Sequence, residues 1–180
     1  MGVSGSWIAF QGLTKEEALA RTSLRDTGRP GTAPEAPVSG AVLPNGWYLI
    51  FFDHDPLSVR LEPLSVGCRI IACEFEEHAM VSSAAGYEDG RLLWEIVYGI
   101  VDGDRYDLHV KGTLPPEFAA IRDQAFEEQD DAGGQDADVD CVFDVPLKTA
   151  EAICGYHYEV AEFDWGEPAF TRLERVQPIS

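Results

Sequence analysis

Two groups of residues have types and spacing suited to chemistry. The first is Asp53-His54-Asp55, an imidazole flanked by two carboxylates. Such a triplet can orient a ring for acid–base work or help hold a metal ion. It also fits a polar turn where the apolar run GWYLIFFD ends. The second is DADVDCVFDVP, residues 136–146. Asp136, Asp138, Asp140 and Asp144 fall on one parity, with Val142 the exception among them, and Ala137, Val139, Cys141, Phe143 and Val145 on the other. That alternation predicts a strand with one carboxylate face.

Same-face neighbours on a strand lie ~6.8 Å apart, so each like-charge pair costs about 0.6 kcal/mol in water and ~2.5 at an effective dielectric of 20. A cation, or a row of Arg and Lys from a partner, would relieve that cost. A solvated edge strand that resists edge-to-edge pairing is the other reading. Asp144 also suits the amino terminus of the helix that follows. A calcium loop beginning at Asp136 needs Gly at its sixth position and Glu at its twelfth, where this chain has Cys141 and Leu147. It is not an EF-hand.

Other familiar chemistries are missing as motifs. There is no Walker loop, G-x-G-x-x-G, G-x-S-x-G or H-E-x-x-H. Cys68, Cys73, Cys141 and Cys154 form no C-x-x-C pair and read as small, reduced, buried thiols. His78, His109 and His157 have no partner identifiable from sequence. No cofactor is called for.

Charge narrows the partners. A net charge of −19 argues against nucleic acid and anionic membranes, which need a basic face. From Glu117 to Asp144 there are ten acidic residues against one basic, Arg122. The first thirty residues carry Lys15, Arg21, Arg25 and Arg29 against three acids. The acidity is therefore local. Ten Arg to three Lys, with Asn45 the only asparagine, point to a GC-rich bacterial source. The start MGVSGSWIAFQG has no basic segment or long apolar core, so a cytoplasmic protein is expected.

The elements that must position these groups follow from periodicity. At 180 residues and 45% hydrophobic content, the chain predicts one globular domain over 1–180. SWIAFQG predicts a short strand. Thr14 and Glu17 form a capping box, with Leu13 and Ala18 at the staple positions, for a helix over about 14–24. The Pro/Gly-rich stretch 26–46 predicts a mobile loop. GWYLIFFD, apolar at both parities, predicts a central strand. A hairpin meander over about 69–111 follows, with strands near 69–76, 79–85, 91–101 and 105–111 and turns at Asp89-Gly90 and Asp102-Gly103. Phe118, Ile121, Ala125 and Phe126 form the apolar stripe of a helix over about 116–130. A short helix over 146–154, stopped by Gly155, and strands in YHYEVAEFDW and AFTRLERV complete an α+β fold with an antiparallel sheet.

The expected function is that of a non-enzymatic acidic binding protein. Glu127, Glu128, Asp130, Asp131, Asp136, Asp138 and Asp140 would face a basic protein partner, such as a toxin neutralised by a bacterial immunity protein. The alternative is an enzyme or ligand-binding protein, small-molecule- or metal-dependent, with its site at Asp53, His54 and Asp55. The residues named choose neither an enzyme nor an oligomeric state.

Overall fold

The computed structural model describes residues 2–32, 35–99 and 103–176. Nine strands form one antiparallel sheet: β1 (Ser4–Gln11), β2 (Leu24–Pro30), β3 (Val38–Val42), β4 (Trp47–Asp53), β5 (Arg69–Glu76), β6 (Val81–Glu88), β7 (Arg91–Gly99), β8 (Leu108–Gly112) and β9 (Thr171–Arg175). Their order is β2-β9-β3-β4-β1-β5-β6-β7-β8. Helices α1 (Lys15–Arg21), α2 (Leu61–Leu64), α3 (Phe118–Ala132) and α4 (Val145–Cys154) cover its faces. The fold is α+β, and the meander expected over 69–111 is β5 to β8. Its expected end at 100–101, and Asp102 of the second turn, lie outside the described residues.

The two-sided apolar patterns explain the centre of the sheet. On β1 and β4, Trp7, Ala9, Trp47, Leu49 and Phe51 face a core shared with α3 and α4. Ile8, Phe10, Tyr48, Ile50 and Phe52 face a second core under α1 and the chain near α2. The capping box holds α1 as expected: Glu17 N–H donates to Thr14 Oγ1 at 3.2 Å, and Thr14 N–H to Glu17 Oε2 at 2.7 Å. No described helix is long and apolar enough to cross a membrane.

Three sequence expectations change. The stretch 26–46 contains most of β2 and all of β3: β2 pairs with β9, and β3 pairs with β4 on one side and β9 on the other. Pro30 fits because β2 is an edge strand and the register slips between Asp26 and Pro30. YHYEVAEFDW is not a strand but a series of turns ending in a Phe163–Gly166 bridge. The aspartate run is not a strand either. Two 3-10 turns, Gly134–Asp136 and Val142–Asp144, enclose irregular chain. Asp140 accepts the Phe143 N–H at 3.2 Å, and Gln129 Oε1 accepts the Cys141 N–H at 2.8 Å. Those side chains offer the backbone an alternative to a ladder, and α4 begins directly afterwards.

Candidate functional site

The acidic candidate site is built on the end of α3 and the loop after it. Phe118, Ala125 and Gln129 are buried and define the helix's inner face. Each residue advances about 100° around a helix. Glu127 and Asp131 therefore stand nearly opposite Gln129, with Glu128 and Asp130 on the flanks. All four are exposed, as are Asp136 and Asp138 in the loop. Among the described residues none of these six carboxylates enters an ion pair.

Their placement works against the helix. Asp130 and Asp131 lie in its last turn, which has no basic residue. Negative charge at the carboxyl end of a helix opposes the macrodipole by about 0.3–1 kcal/mol for each group. Glu127 and Asp131 are also an i,i+4 like-charge pair, unfavourable by a few tenths of a kcal/mol.

The seventh carboxylate behaves differently. The Asp140 side chain is only 3% exposed. It accepts from the Tyr98 hydroxyl at 2.6 Å and lies 3.7 Å from Arg105 Nη1. Burial, and then the Asp140 hydrogen bond, push the Tyr98 phenol upward. Asp140 is thus an internal anchor of the loop, and six carboxylates remain on the outer face.

Sequence reasoning missed the residues that hold this loop. Gln129, fully buried, donates from Nε2 to the carbonyls of Gly134 and Val139 at 2.8 and 3.2 Å. Arg105 donates to Gln135 O and Val139 O at 3.2 and 3.3 Å. Tyr106 donates to Asp130, which pushes its phenol up to about 12. Gln135 and the Tyr106 N–H both donate to Asp104 and hold its carboxyl below the usual value. The signal for Gln129 was present: it continues the 118–121–125 stripe inward. Arg105 and Tyr106 reach the loop from the β7–β8 connection, a pairing no local pattern announces.

The triplet at the end of β4 splits. His54 turns the chain with a left-handed backbone (φ 54°), and its Nδ1 lies 3.0 Å from Ser4 Oγ. Its Nε2 is 3.9 Å from Asp53 Oδ1, too far for a hydrogen bond. Asp55 points instead to Arg175 at 3.6 Å. A cleft of about 300 Å³ adjoins them, lined also by Glu74, Glu76 and Ser83. The three ligand atoms of the triplet are not gathered into one cluster.

The four thiols are free, and Cys68, Cys73 and Cys154 are buried. Burial pushes the Cys154 thiol up to about 12. No family model matches the chain, and neither a curated protein nor a solved structure matches it.

Proposed function

We propose that this protein is a non-enzymatic binding protein whose acidic face engages a basic protein partner. The face consists of Glu127, Glu128, Asp130, Asp131, Asp136 and Asp138. The observation that carries the reading is the end of α3, where exposed carboxylates without a cationic partner among the described residues sit at a cost in helix stability. Solubility alone is served by acids anywhere on a surface, whereas these occupy positions that a stable helix avoids. A basic partner would remove the repulsion on binding. Complementary charge of this kind speeds encounter and selects partners more than it deepens affinity. A toxin neutralised by a bacterial immunity protein is a partner of this type.

The test is binding to basic proteins of the host, before and after Glu127→Gln, Asp131→Asn, Asp136→Ser and Asp138→Ser are combined. The reading expects one saturable partner, held at low salt, weakened at high salt and lost with the combined variant. Unchanged binding by that variant would sink it.

A second reading rests on the Ser4–His54 contact beside the cleft. It makes Asp53, His54 and Asp55 part of a small-molecule or metal site. A ligand that raises the melting temperature of the protein but not of His54→Ala would favour it.

A further inference from the structure

The left-handed backbone of Gly155 (φ 79°) ends α4 and reverses the chain. The reversal brings residues 157–159 back to the start of α4, where Asp144 precedes the first turn. One imidazole nitrogen of His157 and one carboxylate oxygen each from Asp144 and Glu159 lie within 4.8 Å of one another there. Among the described residues this is the only such group of three.

The two inner members lack their ordinary partners. His157 is 5% exposed, and its Nε2 is buried with no hydrogen-bond partner. Its Nδ1 receives only the long 3.3 Å contact from the Glu159 N–H. Asp144 occupies the N-cap of α4 yet makes no side-chain capping bond. Its one ion pair among the described residues is with Lys148 Nζ at 3.9 Å. Native interiors rarely leave a buried polar atom unpaired without a reason.

We propose that Asp144, His157 and Glu159 bind a divalent first-row transition ion of the Zn2+ class, through one imidazole nitrogen and two carboxylate oxygens. The donor set decides the class: Ca2+ and Mg2+ prefer oxygen alone, whereas a nitrogen with carboxylates suits Zn2+ and its neighbours. Zinc bonds of about 2.0–2.2 Å place tetrahedral ligand atoms about 3.3 Å apart, so the donors must close by no more than about 1.5 Å. Glu159 is exposed, in a turn closed by the Val160 N–H to His157 O at 3.2 Å, so its carboxylate is free to swing towards the other two donors. An ion on Nε2 shifts the ring proton to Nδ1 and gives up the long Glu159 contact. Lys148 competes with the ion for Asp144. Three protein donors leave a further coordination position open.

The three donors include no residue of the exposed acidic face or of the cleft at His54, so variants of either leave all three in place. Chelator-stripped, dialysed protein is titrated with Zn2+ by calorimetry and melted with and without the ion. The proposal expects one saturable site and a raised melting temperature. Losing a partner behind a metal ligand costs about 10–100-fold in affinity, and losing a ligand costs at least that. Glu159→Gln and Asp144→Asn should therefore weaken binding roughly tenfold or more, His157→Gln should abolish it, and Lys148→Met should tighten it. Combined Asp136→Ser and Asp138→Ser should leave it unchanged. Glu159 and Lys148 are exposed, so their variants decide the matter even if His157→Gln fails to fold. Absence of saturable binding, binding untouched by Glu159→Gln, or binding lost with His54→Ala instead would overturn the assignment.

Discussion

The Tyr98 hydroxyl donates to Asp140 Oδ2 at 2.6 Å, fastening the acidic loop to the covered face of β7. Asp140→Ala would leave this hydroxyl and the Phe143 N–H short of an acceptor, while Arg105 keeps the carbonyls of Gln135 and Val139. A hydrogen bond to a charged group contributes about 1.5–3 kcal/mol. Urea denaturation should therefore show a loss near that size for Asp140→Ala. Asp136→Ser and Asp138→Ser should stay within about 0.5 kcal/mol of the parent. Equal effects at all three positions would contradict the division into one inner and two outer aspartates.

The end of α3 makes a prediction with the opposite sign. Asp131→Lys replaces an unfavourable charge at the helix terminus with a favourable one and relieves the pair with Glu127. Thermal melting at low salt should give a gain of about 0.5–1.5 kcal/mol, shrinking as salt is added. Partner capture should fall with the same substitution. A stabilised variant that still binds normally would separate the acidic terminus from function.

Acid should weaken the β2 side of the sheet through Asp26. Burial alone would raise its carboxyl, but hydrogen bonds from Lys15 and from the Gly28 N–H outweigh burial and hold it below its ordinary 3.8. A depressed folded value gives stability that is present above 3.8 and lost as pH falls through the folded value. Asp26→Asn should cost about 1 kcal/mol at neutral pH, and its gap from the parent should close as pH falls below 3.8. A gap independent of pH would remove the carboxylate from the account.

Local patterns were readable in this chain, and distant pairings were not. Trp7 to Phe10 announced a short strand, and Trp47 to Phe52 a central one, because both parities were apolar. Thr14 with Glu17, and Gly155, marked helix ends whose chemistry lies within a few residues. The aspartate run misled because alternation describes side chains, while its backbone follows Gln129 and Asp140 into turns. Strand β3 was missed because the prolines and glycines around it mask the strand pattern, although its main partner, β4, follows directly; only its other edge waits for β9. Of the proposed acidic face, composition located the region, but the inward turn of Asp140 needed Tyr98 and Arg105 in place. Asp144, His157 and Glu159 meet only after the reversal at Gly155.

The position of β9 between β2 and β3 also sets a timetable. Arg25 and Glu174 pair across 149 residues. On a ribosome making 5–20 residues each second, β2 emerges roughly 7–30 s before the strand it must join. The neighbouring edge of β3 waits as well. The meander can assemble during synthesis, but the sheet closes only when its last strand is released. Throughout that interval the facing edges of β2 and β3 are open to chaperones or to mispairing.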